Sequence, residues 1–397
     1  MLVSLFRSRA AAIGLLLAAG SVAPTVAQES PFRVASQQFR DADGRLNYLA
    51  PLRSLQARQA TFDPDAYSQA LATYSSFVGR VEAAPPAPAP GPYRLTDAAA
   101  VLRERAGAAS VVLINEAHDQ PAHRAYCGQL LAQLAPLGYT QFAVEALDPA
   151  DTAINQRGFP ISSSGFYTCE PTMGQLLRTA HRAGFRLLSH EISESQEKEF
   201  DDWQRRSNYR DSVQAVNILA ALRRHPQAKL VALVGYDHVL EKERDGLKRL
   251  AAYLRELGQL DPLTIDQTQA YRSSAPGPAG PALLTSDGRA PVTTGDNAGY
   301  VDLQVIHPAP ALAQGRPDWL LRSGARRPIT ARVPAANAGQ GCLVQLYDRA
   351  EYAQYGTRAI PLDQCLAAAG QRRVRLLGPT TRGATVLIYQ PADLGAL

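Results

Sequence analysis

The sequence predicts an α/β protein with a parallel sheet of about four to five strands flanked by helices, followed by a small C-terminal β-rich region. Between about residues 95 and 269, short apolar runs alternate with helical patterns, which is typical of a parallel sheet covered by helices. Ionisable residues follow each apolar run directly. Beyond about residue 300 the helical pattern gives way to short alternating runs, which favour β-structure.

Residues 1–27 have the pattern of a secretory signal peptide. Arg7 and Arg9 precede the apolar run 10–19, and Thr25-Val26-Ala27 offers a cleavage site. We therefore expect a secreted or periplasmic protein. Removing these residues lowers the formal net charge from +5 to about +3, which is too mild to favour nucleic-acid binding. No later apolar run is long enough to span a membrane.

Residues 28–92 are predicted to form a helical N-terminal segment that ends in a linker. The clearest helix starts at Asp63-Pro64 and runs to about residue 81, with Asp63 as its cap and Pro64 in its first turn. Residues 83–92 contain so many prolines that neither a helix nor a central strand can form, so they are expected to be a stiff linker.

Residues 93–270 are expected to form the α/β domain. Its predicted strands are 110–115, 141–145, 185–189, 229–235 and 263–266, and its predicted helices are 96–105, 122–137, 172–183, 193–224 and 241–257. A linker at 271–299 then leads to the β-rich domain at 300–397, with predicted strands at 328–333, 342–347, 373–377 and 384–389.

The four cysteines predict disulfides. None of them forms a Cys-x-x-Cys motif, and an even number in an exported protein favours disulfides over thiol chemistry. The order along the chain favours Cys127–Cys169 and Cys342–Cys365, although two other pairings are open.

The strand exits predict one composite site. In an open parallel sheet, the carboxyl ends of the strands meet at one edge, where ligands bind. The polar residues that follow the five predicted strands are Asn115, Glu116 and His118; Glu145; His190 and Glu191; Asp237 and His238; and Asp266. Such a mixture of histidine and carboxylate can hold a divalent metal ion with a bound water, or act through a histidine general base that a glutamate orients. The residues leave both alternatives open.

A helix before the fourth predicted strand adds a possible anion-binding residue. Arg210, Gln214 and Asn217 lie three or four residues apart and so share a helix face, from which Arg210 could bind a carboxylate or an oxyanion. No Gly-x-Ser-x-Gly elbow, phosphate-binding loop or dinucleotide fingerprint is present, which disfavours serine hydrolases, nucleotide enzymes and Rossmann dehydrogenases.

Several of these motifs together resemble the superfamily that joins erythromycin esterases, ChaN-like haem-uptake proteins and Tiki/TraB proteins. The resemblance covers about residues 100–270 and rests on four segments, which are Val112–Asp119, Glu145, Arg210-Asp211 with Asn217, and Gly235–Val239. The segment His118-Asp-Gln-Pro-Ala-His123 gives it a ChaN-like flavour. Asn115 stands where the family usually has glycine, which implies an altered backbone contact to a ligand.

The resemblance implies a function in which Glu116, His118, Glu145, Arg210 and His238 occupy the functional positions. We expect an exported hydrolase of ester or amide bonds that acts on a small molecule or a peptide. A divalent metal ion would be held by His118, Glu145 and His238.

The alternative that the resemblance implies is a ChaN-like haem- or iron-binding protein without catalysis. In that case the site would hold haem in place of a divalent metal. Tyr126, Tyr167 and Tyr236 lie near the motifs and are the candidate haem ligands.

Overall fold

A computed structural model describes residues 29–80, 87–88, 93–269, 271–272, 280–286, 290–308, 312–313, 316–322, 326–380 and 385–391. The predicted signal peptide, most of the proline-rich linker and part of the predicted 271–299 linker lie outside the described residues. None of the helices within these ranges is long and apolar enough to cross a membrane.

The helices are α1 Pro31–Phe39, α2 Ala50–Ala57, α3 Pro64–Phe77, α4 Ala99–Ala108, α5 Pro121–Leu134, α6 Ile154–Arg157, α7 Pro171–Arg182, α8 Trp203–Arg224, α9 Leu250–Gly258, α10 Trp319–Arg322, α11 Ala335–Ala338 and α12 Arg349–Tyr355. The strands are β1 Ala87–Pro88, β2 Arg94–Asp97, β3 Val111–Glu116, β4 Tyr139–Val144, β5 Arg186–Leu188, β6 Lys229–Gly235, β7 Leu263–Asp266, β8 Tyr271–Arg272, β9 Ala282–Ser286, β10 Ala290–Pro291, β11 Leu303–Ile306, β12 Leu312–Ala313, β13 Arg316–Pro317, β14 Arg326–Arg332, β15 Cys342–Asp348, β16 Asp363–Ala367, β17 Arg373–Pro379 and β18 Thr385–Pro391.

The fold is α/β, as predicted, with a mostly parallel central sheet. The five predicted strands pair in parallel in the order β7-β3-β6-β4-β5. The sheet is wider than the sequence indicated. Beyond β7 it continues through the parallel strand β11 and the antiparallel strands β9, β10 and β2. The C-terminal region is β-rich, with the antiparallel pair β14-β17 and the antiparallel sheet β16-β15-β18.

Helices cover both faces of the sheet. One apolar core joins the strands to α4, α5 and α7, and a second core on the opposite face joins them to α8 and α9. Strand β3 is buried along its whole length, as expected for a strand between two helical layers. The first polar groups that can meet a ligand therefore come where the strands end.

Two predicted helices begin later than the sequence pattern indicated. α8 starts at Trp203, because the Asp202 side chain caps it by accepting a hydrogen bond from the Arg205 amide at 2.7 Å. Helix α9 starts at Leu250, after a turn in which Asp245 and Gly246 have positive φ angles. Residues 189–202 therefore form an irregular segment above the carboxyl end of the sheet.

The outer strand β5 has a side-chain cap on its exposed edge. The Asn155 side chain donates to the Leu187 carbonyl and accepts from the Leu187 amide, both at 2.8 Å. Asn155 thus satisfies backbone groups that would otherwise be open to another strand.

The N-terminal helices and the C-terminal region share a core. Phe39, Tyr74 and Phe77 pack in one cluster with Tyr167, from the segment before α7, and with Leu343 of β15. Segments far apart in the sequence therefore support the same side of the α/β layers.

The expected disulfides are not formed. All four cysteines are free thiols and all are buried. Cys127 belongs to the main core of the sheet, whereas Cys169 belongs to the core of the N-terminal helices, so the two sulfurs pack in different clusters. Cys342 and Cys365 share the C-terminal core on neighbouring strands, but they are not directly opposite, because Cys342 pairs with Ala367 and Cys365 with Val344.

Candidate active site

The carboxyl ends of β3, β4 and β6 bring the predicted residues together. Glu116 is the last residue of β3 and lies opposite Gly235, the last residue of β6. His118 follows β3 by two residues, Glu145 follows β4 directly, and His238 lies on the short helical turn after β6. Because these strands are parallel neighbours, the sheet itself delivers the four side chains to one edge.

His118 is held by a buried ion-pair network. Its Nδ1 lies 3.1 Å from Glu116 Oε1. The fully buried Arg124 donates to both oxygens of Glu116 at 2.8 Å and to the His118 carbonyl at 2.9 Å. Arg124 also reaches Glu170, whose carboxylate caps helix α7. The imidazole ring therefore has a fixed orientation, with Nε2 directed into the site.

Two tyrosines enclose the His118 ring. Tyr167 stacks on it with a centroid distance of 4.2 Å, and Tyr236 meets it edge-on at 5.2 Å. Tyr236 is 38% exposed and has a φ of +34°, which is costly for a non-glycine residue. The phenol of Tyr167 is buried, and burial raises its pKa well above the usual value.

Glu145 lies between the two histidines. Its Oε2 accepts a hydrogen bond from the Gly235 amide at 2.6 Å, and its Oε1 accepts one from Arg210 Nη2 at 2.7 Å. The same Oε1 lies 3.9 Å from His238 Nε2. Burial alone would raise the pKa of Glu145, but His238, Arg210 and His118 hold it well below the usual range. Glu145 is therefore a carboxylate at neutral pH.

His238 is oriented by Asp211. Its Nδ1 is hydrogen-bonded to Asp211 Oδ1, an oxygen that also accepts from the Leu250 amide at 2.8 Å. Burial would lower the pKa of His238, but the carboxylates of Asp211 and Glu145 outweigh it, and the pKa is raised above its usual value. Asp211 thus fixes the tautomer with a proton on Nδ1 and leaves Nε2 for proton transfer.

Arg210 connects these groups. Its Nη1 lies 3.2 Å from His238 Nε2, and its Nη2 donates to Glu145. On its other edge, Nε donates to the Glu191 oxygens at 3.0 and 3.1 Å, and Nη2 donates to Glu191 as well. The guanidinium thus places a permanent positive charge next to the proton-accepting atom of His238.

A third histidine, His190, is buried beside the cluster. Only 1% of it is exposed, and neither ring nitrogen has a hydrogen-bond partner among the described residues. Burial lowers its pKa to about 4, so the ring is neutral at pH 7. Gln214 Oε1 is likewise buried and unpaired within the described part of the chain.

Asn115 connects the ends of three strands instead of contacting the site. Its Nδ2 donates to the Tyr236 carbonyl at 2.7 Å and to Asp266 Oδ1 at 2.8 Å, and its Oδ1 accepts from the Gln267 amide at 2.7 Å. The side chain is fully buried. Asn115 thereby stabilises the strained backbone of Tyr236, and Asp266 belongs to this support and not to the cluster.

His123 lies outside the cluster as well. Its Nδ1 accepts a hydrogen bond from the Ala117 amide at 3.0 Å, and its ring packs against His307 at 4.9 Å. Burial holds its pKa well below the usual value. Its role in this geometry is to hold the turn that carries His118.

A metal ion does not fit the expected ligand set of His118, Glu145 and His238. Within the described ranges, no three His, Cys, Asp or Glu side chains are placed to hold a metal ion. Arg210 explains this, because its guanidinium lies against both Glu145 and His238 Nε2. The positive charge of the site therefore comes from the protein.

Three residues that build the site were not assigned roles from the sequence. Asp211 stood in the quoted motif beside Arg210, but only the packing of α8 on β6 shows that it meets His238. Arg124 could have been suspected, because an arginine on the first turns of the helix after a Glu-x-His motif can reach back to the glutamate. Tyr167 carried no local signal, because the chain between β4 and α7 has no regular period.

No protein-family model matches the chain, and no curated protein matches it. Three solved structures resemble its fold. The type III effector HopBA1 is 13% identical over 54% of this chain and 96% of its own, with a TM-score of 0.35. The haem-bound ChaN of Campylobacter jejuni is 11% identical over 57% and 100%, with a TM-score of 0.36. The RRSP toxin effector domain from Vibrio vulnificus is 16% identical over 44% and 38%, with a TM-score of 0.32.

Proposed function

We propose that this chain is a hydrolase of ester or amide bonds that uses His238 and His118 as its acid–base pair. The observation that carries the proposal is that each histidine has its Nδ1 on a buried carboxylate, while Glu145 and Arg210 lie between them. A carboxylate on Nδ1 holds the tautomer in which Nε2 exchanges a proton with the reactants.

The roles follow from the charges. His238 Nε2 takes a proton from a water molecule, whose oxygen attacks the carbonyl carbon of the substrate. Arg210 Nη1 lies next to Nε2 and stabilises the negative charge that forms on the carbonyl oxygen. His118, in its protonated form, then gives a proton to the leaving oxygen or nitrogen as its bond to carbon breaks. Glu145 holds Arg210 and stabilises both histidines when they are charged.

Alanine variants test this proposal. Purified His238→Ala and Glu145→Ala proteins should keep their fold, measured by circular dichroism and thermal unfolding, and should lose hydrolysis of a panel of nitrophenyl esters and peptides. His225→Ala is the matched control, because His225 is an exposed histidine just beyond the end of α8. Unchanged activity in both site variants would overturn the proposal.

The alternative function is haem binding, and the exposure of Tyr236 favours it. Of the three candidate tyrosines, Tyr126 and Tyr167 are buried and burial raises the pKa of both, which disfavours the phenolate that would bind ferric iron. Tyr236 is partly exposed and lies edge-on to His118. A haem titration that gives a Soret band in the natural protein and not in Tyr236→Phe would support this alternative. The absence of a spectral shift and of thermal stabilisation by haem would count against it.

A further inference from the structure

Glu191 occupies a set of donors that suits a carboxylate. Its two oxygens receive Arg210 Nε and Nη2, Gln214 Nε2 at 3.3 Å, and the Ile192 amide at 2.7 Å. The planar edge of an arginine matches the two oxygens of a carboxylate. This Arg210–Gln214 edge, called here the carboxylate cradle, lies on the same guanidinium that contacts Glu145 and His238.

Glu191 can leave the cradle without unfolding the segment that carries it. The main chain at this point is held by the Asn217 side chain, which donates to the carbonyls of His190 and Glu191 at 3.2 and 3.1 Å. The Glu191 side chain is 19% exposed, so a change of its rotamer alone moves the carboxylate into solvent. Arg210 stays in place, because Glu145 still holds it.

The charge balance also indicates that Glu191 is replaceable. Arg210 already has a carboxylate partner in Glu145, which has no route to solvent comparable to that of Glu191. Beside the cradle, His190 and Gln214 Oε1 carry buried polar atoms that have no partner among the described residues. A neutral imidazole offers one donor and one acceptor, so a polar group next to the ligand's carboxylate would find partners there.

We propose that the carboxylate cradle binds a carboxylate group of the substrate and that Glu191 is an intramolecular stand-in for it. The ligand class is an acylated amino acid or peptide, in which an amide lies next to the carboxylate. This inference deepens the proposed function by naming its substrate class. The side chain of Glu191 competes with the substrate, so its removal strengthens binding of a carboxylate.

Isothermal titration calorimetry with N-acetylglycine tests the cradle, with N-acetylglycinamide as its neutral counterpart. Glu191→Ala should bind N-acetylglycine about tenfold or more tightly than the natural protein, since the competing occupant is gone. The matched control is Glu197→Ala, which removes an exposed glutamate from the same segment and should leave the affinity unchanged. Glu191→Gln keeps the shape of the side chain and should give a smaller gain.

Adding Arg210→Lys to Glu191→Ala should abolish the gain, because a lysine cannot make the paired contact. An equal affinity in Glu191→Ala and the natural protein would overturn the inference. So would a gain that is equally large for the neutral amide or that survives Arg210→Lys. The measurement needs no turnover. Tight carboxylate binding without hydrolysis of any panel substrate would count against the proposed function alone, whereas hydrolysis without the gain would count against the cradle alone.

Discussion

Gly235 and His118 are so close that no side chain fits between them. A β-carbon on Gly235 would lie 2.7 Å from Cε1 and 2.8 Å from Nε2 of His118, and 3.5 Å from Glu145 Oε2. The backbone of Gly235 has an ordinary φ of −83°, so the glycine is required by space and not by conformation. The imidazole of one motif thus packs directly on the backbone of the other.

We expect Gly235→Ala to push the His118 ring out of place. Hydrolysis should fall by about 10²-fold or more, because a shift of about 1 Å is enough to misalign a proton-transfer group. The free energy of unfolding should fall by about 1–3 kcal/mol. Gly107→Ala is the control, since a β-carbon there meets nothing within 4 Å, and its activity should match that of the natural protein. Full activity in Gly235→Ala would contradict the placement of His118 in the chemistry.

Asp211→Asn should change the pH dependence of hydrolysis. The pKa of His238 is raised in the folded protein, so a general base at this position gives a kcat/KM that rises with pH through a midpoint above about 6.5. Asparagine removes the charge that raises this pKa, so the midpoint should move to lower pH and the maximal rate should fall about 10²-fold or more. A pH–rate profile measures both effects. A midpoint that does not move would rule out His238 as the base.

The same pair affects stability in the opposite direction of pH. A histidine with a raised pKa in the folded state contributes stability that is fully present below its unfolded pKa of about 6.5 and is lost as pH rises through the folded pKa. Urea unfolding of the natural protein and of Asp211→Asn should therefore differ most at acidic pH.

His190 should weaken the protein as pH falls. Its pKa is lowered to about 4, so its contribution is present above about pH 6.5 and is lost as pH falls from there to about 4, which amounts to roughly 3 kcal/mol. Replacing it with asparagine should flatten the stability profile in that window, as measured by urea unfolding at several pH values. His225→Asn, at an exposed site, should leave the profile unchanged. An unaltered slope in His190→Asn would show that the ring does not stay neutral.

Asn115→Ala should destabilise the protein by about 2–4 kcal/mol, because it leaves the Tyr236 carbonyl, Asp266 and the Gln267 amide without a buried partner. Asn115→Asp should be worse at neutral pH, since it sets a second carboxylate against Asp266, and it should recover partly when the pH is lowered. Chemical denaturation measures both. A milder effect for aspartate than for alanine at pH 7 would contradict this account of the network.

The sequence predicted the sheet and the collection of polar groups at its edge because both depend on local patterns. Buried strands such as β3 are continuous apolar runs, and the residue after each run is placed by the pleat. The pairing of Asp211 with His238 was not predictable in the same way, because it depends on how α8 lies across β6. The position of Arg210 between Glu145 and His238 has the same origin.

The role of Asn115 shows a further limit. Sequence analysis placed its effect at a ligand, because only the backbone preferences of glycine were considered. The structure directs its side chain towards Asp266 and Gln267, which belong to a strand that lies 150 residues further along the chain, within the 151- and 152-residue separations of these contacts. The later strands β9, β10 and β11 were missed for a related reason, since short strands in a segment rich in glycine and proline give no clear period.

The stacking of Tyr167 on His118 has a consequence for how this protein can be altered. Tyr167 packs in the same cluster as Phe39, Tyr74 and Leu343, so the floor under the imidazole is laid by both ends of the chain. Substitutions among these distant side chains can tilt the ring without touching any reactant. Evolution or a protein engineer could therefore tune turnover from the periphery, and a fragment trimmed to residues 93–270 would lose the foundation on which its histidine rests.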